Sequence, residues 1–143
     1  MSLRIALLIV FLLISLSMAE SLSDIDKKAI NQTVFTILND TGKLLYINSE
    51  VDQNNVLNVR YLPNLDDNAP ISALGAVIGA YYVISQNYPE ISDLNITLGG
   101  KDIVGGGMYC NKSWIKDLFI DGKMDSDRAD VVIQKVLETY EKG

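Results

Sequence analysis

The sequence predicts an α+β domain: a single antiparallel sheet of about five strands, in chain order β-β-β-α-β-β-α-α, with helices packed on one face. An apolar helix precedes it. Three observations carry this reading. Two stretches, residues 56–62 and 93–99, alternate apolar and polar side chains with the period of a half-buried strand. Residues 71–85 form an almost wholly apolar run between Asp67-Asn68-Ala69-Pro70 and Asn87-Tyr88-Pro89, and the last helix carries a stripe of apolar residues from Ala129 to Tyr140 at helical spacing. Between the extended stretches lie short turn clusters, and tight turns require antiparallel neighbours.

The elements follow in order. Arg4 precedes an apolar run from Ile5 to Ala19, broken only by Ser15 and Ser17, and the run ends in Ser17-Met18-Ala19 before Glu20. This is the outline of a signal peptide cleaved between Ala19 and Glu20. The run is shorter than the roughly 17 to 25 residues that a comfortable membrane span needs, which favours removal over retention as an anchor. Either outcome exports the rest of the chain, as a secreted protein or one held at the outer face of the cytoplasmic membrane. Membrane contact is then confined to residues 5–19 and only if they are retained. Residues 20–31 are polar and read as a linker, so the domain spans 32–143.

Thr33 to Leu38 and Lys43 to Ser49 are β-branched or apolar runs around Asn39-Asp40-Thr41-Gly42, and predict a hairpin. In the next strand Leu57, Val59 and Tyr61 share one face, and Pro63 closes it. Asp67-Asn68-Ala69-Pro70 offers caps and a first-turn proline for a helix over Ile71 to Ser85, whose Gly75 and Gly79 are expected to lie against the sheet. Leu94, Ile96 and Leu98 mark a strand, Gly99-Gly100-Lys101-Asp102 a turn, and Ile103 to Cys110 its hairpin partner. Ser113 to Ile120 predicts a short helix closed by Asp121-Gly122. A last helix, capped around Asp125-Ser126-Asp127, carries the stripe Ala129, Val132, Ile133, Val136, Leu137 and Tyr140.

Composition narrows function more than it defines it. The chain of 143 residues has 12 basic and 18 acidic side chains, a net charge of −6, and no histidine. Removal of Arg4 with the leader makes the remainder more acidic still. No basic run exceeds Lys27-Lys28, so nucleic acid is not an expected partner. Without histidine the commonest general base and zinc ligand are missing, and with them every Ser-His or Cys-His nucleophile pair.

Cys110 is the single cysteine, so it has no internal disulfide partner and reads as a buried small hydrophobe. Gly105-Gly106-Gly107 lacks the Gly-Lys-Ser/Thr continuation of a phosphate loop and continues as a strand. It reads instead as a bare strand where a helix or ligand approaches the backbone, with Tyr109 beside it as a contact surface. Asp121, Asp125 and Asp127 are the nearest approach to a metal site. Their spacing fails for a calcium loop, because Phe119 and Arg128 fall where ligands belong, and helix capping accounts for Asp125 and Asp127. No cofactor is expected.

Four N-glycosylation sequons, at Asn31, Asn39, Asn95 and Asn111, fit an exported surface. Together these features point to a non-enzymatic extracytoplasmic module that binds a protein or small ligand through its sheet or its glycine-rich strand. The alternatives are a small carboxylate- or metal-dependent enzyme built around Asp117 to Asp130, and a structural component of a cell-surface assembly.

Overall fold

The computed structural model describes residues 22–63, 69–100 and 105–143. The predicted leader, with its cleavage point at Ala19 and Glu20, and the capping residues Asp67 and Asn68 lie outside them. Among the described residues the fold is α+β, as expected, but with three helices, a mixed four-stranded sheet and a separate two-stranded ribbon.

Residues 24–39 correct the sequence reading most. They form helix α1 (Asp24–Asn39), where a polar linker and a first strand were expected. Ser23 caps it by accepting from the Asp26 amide at 3.1 Å, and Asp24 and Asp26 place negative charge at its positive end. Ile30, Val34 and Leu38, one helical turn apart, are fully buried. The β-branched Thr33 and Thr36 are accommodated because each hydroxyl donates to the carbonyl four residues back, at 2.9 Å. The turn at Asn39–Gly42 therefore joins a helix to a strand, with Gly42 at φ +66°.

Strands β1 (Leu44–Val51) and β2 (Leu57–Pro63) form the first hairpin. Its loop is tied by Asp52, whose carboxylate accepts from the amides of Asn54 and Val56 at 2.8 and 3.1 Å. Helix α2 (Ala69–Asn87) then crosses to β3 (Leu94–Leu98), which pairs with β4 (Gly106–Cys110). At 19 residues α2 runs about 28 Å, enough to carry the chain back along the sheet. β3 therefore starts at the same end as β2, and the two run parallel. Two antiparallel hairpins thus meet at a parallel seam in the order β1-β2-β3-β4, not in one antiparallel sheet.

Lys112–Ile115 is a single 3-10 turn, where a longer helix was expected. It leads to the ribbon β5 (Phe119–Ile120) and β6 (Lys123–Met124). Asp121 and Gly122 both have positive φ, +51° and +78°, the geometry that a two-residue hairpin loop demands. Helix α3 (Ser126–Glu138) follows its Asp125 cap, whose carboxylate accepts from the Arg128 amide at 3.0 Å. Tyr140, expected on the stripe of α3, lies beyond the helix and is 47% exposed.

The helices line up along the sheet: α1 contacts β1, α2 contacts β2, and α3 contacts β4. Beneath them the sheet contributes Leu57, Val59, Tyr61, Leu94, Ile96, Met108 and Cys110 to one core with Leu74, Ile78, Tyr81 and Ile84 of α2. The strand residues between those positions, among them Asn58, Arg60, Asn95 and Thr97, retain access to solvent on the opposite face.

Gly75 and Gly79 do not meet the sheet. A Cβ at Gly75 would lie 3.6 Å from Ile133 Cδ1 of α3, and one at Gly79 would lie 3.3 Å from Met124 Cε. The latter is the end of a flexible, 40% exposed side chain that can move aside. Gly79→Ala is therefore expected to stabilise the fold by about 0.5 to 1 kcal/mol, through helix propensity. Thermal unfolding should shift up by a few degrees; a downward shift would show that Met124 is held more tightly than its exposure implies.

Candidate functional site

The glycine-rich strand is occupied by the chain's own carboxyl-terminal segment. Gly107 and Glu141 exchange both backbone hydrogen bonds, at 2.9 and 3.0 Å. One turn earlier, the Tyr109 amide donates to Thr139 Oγ1 at 2.8 Å, and that hydroxyl donates to Val136 O at 2.6 Å. The Tyr140 hydroxyl donates to Gly105 O at 2.8 Å. The outer edge of β4 is thus covered along its length, which removes the row of unpaired groups an edge strand presents.

Gly106 explains why this needs glycine. Its φ is +140°, and a Cβ there would lie 2.6 Å from the Tyr140 ring and 2.8 Å from Glu141 O. Of Gly105-Gly106-Gly107 it is Gly106 that is closely approached, and Tyr140 and Glu141 of the chain itself make that approach, where a helix or ligand was expected. The nearest atom to a Cβ at Gly105 or at Gly107 would be a carbonyl oxygen at 3.4 Å, of Leu98 and Ile96 respectively.

A second feature adjoins that segment. The solvent side of the sheet carries Asn58 on β2, Asn95 and Thr97 on β3, and Gly107 and Tyr109 on β4, brought side by side by the pairing Asn58↔Asn95↔Tyr109 and Thr97↔Gly107. With Glu138 to Gly143 along one side they line a groove of about 760 Å³. Asn95 Nδ2 donates to Asn58 Oδ1 at 3.4 Å, and Arg60 reaches Gly100 O at 3.4 Å. The strands supply amide, hydroxyl and phenol groups, the carboxyl-terminal side adds the charged Glu138, Glu141 and Lys142, and hydrogen bonding is the chemistry they offer.

Tyr109 is tied into a network centred on Asp93. Its hydroxyl donates to Asp93 Oδ2 at 2.6 Å and accepts from Asn111 Nδ2 at 3.3 Å, while the Lys112 amide donates to Asp93 Oδ1 at 2.8 Å. Lys112 Nζ is spent on the carbonyls of Pro89 and Ile91, both at 2.6 Å. The hydrogen bond to Asp93 raises the Tyr109 pKa. The Tyr109 ring meets Trp114 edge-on at 5.9 Å, with Lys135 Nζ 5.9 Å from the indole centroid. Sequence reasoning missed Asp93 as a hub. Its Asp-Leu-Asn-Ile start of a strand reads as a boundary, and its partners lie 16 and 19 residues away.

Cys110, next to Tyr109, is fully buried and unpaired, as expected of a packed thiol. Burial, with a smaller contribution from the Asp93 charge, pushes its pKa from 9.0 up to about 12. A neutral thiol is a poor nucleophile, so native Cys110 is expected to resist a soluble alkylating reagent and to react after denaturation. The same shift sets a pH dependence. The unfolded thiol ionises near 9.0 and the folded one near 12, so the stability it contributes is intact below pH 9. It is lost between those values, at up to about 1.4 kcal/mol per pH unit. Burial raises Tyr61 and Tyr81 as well, adding to the loss above pH 10. Denaturant titrations of Cys110→Ala should therefore show a flatter decline between pH 9 and 10 than the native chain. Equal slopes would show that another group carries it.

The acidic residues separate by role. Asp125 is a helix cap, Asp121 sits in the β5–β6 turn, and Asp127 lies in the first turn of α3. Asp117 and Asp127 line a groove of about 470 Å³ beside Trp114 and Arg128, and Arg128 Nη1 is 3.9 Å from Asp117 Oδ2. Asp121 and Asp125 are not part of its lining. Among the described residues no group of three or more Cys, Asp or Glu is placed to hold a metal ion.

The sequons also separate. Asn31 is half-buried in α1, where its Oδ1 accepts from Ser49 Oγ at 3.3 Å. Asn111 caps the 3-10 turn, accepting from the Ser113 amide at 2.9 Å and hydroxyl at 2.7 Å. Asn39, at the end of α1, and Asn95, on the solvent face of β3, are exposed. Comparison with protein-family models, with curated proteins and with solved structures finds no match to this chain.

Proposed function

We propose that the chain is an exported or membrane-tethered binding module, non-enzymatic, that holds a polar ligand on the solvent face of its sheet. The observation that supports this most directly is the groove over β2, β3 and β4, where Asn58, Asn95, Thr97 and Tyr109 converge beside the carboxyl-terminal segment. The groove's volume falls within the roughly 300 to 1,000 Å³ of small-ligand sites, where a few placed polar groups fix the ligand. A hydroxyl-rich ligand such as an oligosaccharide suits a lining in which Asn58, Asn95 and Thr97 offer amide and hydroxyl groups while Glu138, Glu141 and Lys142 offer charged hydrogen-bond partners along one side. The Arg4-led apolar run supports the extracytoplasmic setting.

Two measurements test this. Protease added to intact cells should degrade residues 22–143; full-length protein recovered from the cytosol would end the export reading. Backbone amide shifts of labelled protein, titrated with a panel of soluble oligosaccharides, should move at Asn58, Asn95, Thr97 and Tyr109 and be lost in Asn95→Asp. Shifts confined to the Asp117–Arg128 groove would overturn the assignment of the face.

A further inference from the structure

The fold treats its two sheet edges differently. The β4 edge is closed by Thr139 and Glu141, whereas among the described residues no strand pairs with the outer edge of β1. β1 is eight residues long and holds no proline or lysine. Apolar surface flanks it on both layers. Leu45 is 61% exposed on the solvent face, and Phe35 of α1, 41% exposed, packs edge-on against Tyr46 at 5.5 Å. An open edge of this length is a template for another strand, and its backbone groups dictate that the occupant be extended.

Charge and register identify that occupant. Lys43, just before β1, and Glu50, near its end, are both exposed, and the one ion pair among the described residues lies elsewhere, between Arg128 and Asp117. In a regular strand residues 43 and 50 would face opposite sides. The register of β1 on β2 shifts between Tyr46 and Asn48, however, so that Leu45, Asn48 and Glu50 pair with Leu62, Arg60 and Asn58 and share the solvent face. Lys43 stands in the turn immediately before β1, exposed and one residue from its first strand position, within reach of that face through its long side chain. We propose that β1 pairs antiparallel with β1 of a second copy of this chain, about a two-fold axis between Tyr46 and Ile47. This register sets Lys43 opposite the partner's Glu50 twice, and Leu45 opposite the partner's Asn48 twice. The two four-stranded sheets become one eight-stranded sheet, with Phe35 of each copy at the joint. Cross-strand pairs of opposite charge stabilise such a pairing, and like charges oppose it. The interface stands whether or not the solvent face binds a ligand.

Sedimentation velocity of the full chain in mild detergent tests it. The native chain should be dimeric. Lys43→Glu and Glu50→Lys should each weaken association at least about tenfold, since both crossing pairs become repulsive. Mixing the two single variants should restore the dimer, as should the double variant, because each acidic side chain then faces a basic one. Circular dichroism should be unchanged throughout, both positions being exposed. A monomeric native chain, a dimer that survives both single variants, or a loss not recovered on mixing would each overturn the proposal.

Discussion

Gly106→Ala is expected to lower the stability of the fold by about 2 to 5 kcal/mol and to release its carboxyl-terminal segment. Two costs add. At φ +140° an L side chain is strained, and the new methyl would sit 2.6 Å from the Tyr140 ring and 2.8 Å from Glu141 O. The ring can swing away; the Glu141 carbonyl belongs to the backbone that pairs with Gly107 and can move only by breaking that pairing. Hydrogen exchange should therefore show the amides of Gly107 and Glu141 losing protection together. Tyr140→Ala should recover only part of the loss, because it removes the ring and leaves the carbonyl and the strain. Gly107→Ala is the control, with its nearest neighbour at 3.4 Å and no positive φ. A midpoint for Gly106→Ala within a degree or two of the native value would show that the segment is not docked on β4.

Ile30→Ala should cost about 2 to 5 kcal/mol, the range for deleting a buried aliphatic side chain and leaving a cavity. Ile30 is fully buried, and α1 contacts both β1 and α2. On the same helix Ile25 is 81% exposed, and Ile25→Ala should change stability by less than about 0.5 kcal/mol. The contrast separates a docked helix from a polar linker, in which both substitutions would be nearly silent. Denaturant midpoints at constant slope give the comparison directly.

Legibility varied with how local the deciding interactions are. The strand at Leu57, Val59 and Tyr61, the α2 helix and the Asp125 cap were readable because alternation, helical spacing and a capping carboxylate all act within a few residues. The Asp121-Gly122 loop carried a hairpin signal that the neighbouring Trp114, Ile115, Leu118 and Phe119 spacing masked, since short apolar runs fit a helix and a ribbon alike. The α1 error has a similar origin. Val34 and Phe35 between two threonines favour a strand locally, but the stripe of Ile30, Val34 and Leu38 straddles the boundary drawn between linker and domain.

By itself the sequence determined the α+β composition, the buried faces of β2 and β3, the burial of Cys110, and the absence of any histidine-based site. These follow from side-chain chemistry and periodicity. The tertiary structure alone decided the parallel β2–β3 seam, the docking of Tyr140 and Glu141 on Gly106 and Gly107, the shift in β1 that puts Leu45 and Glu50 on one face, and the Asp93 hub. Each joins segments many residues apart, and loop closure and core packing choose such partners among several that local propensity allows equally.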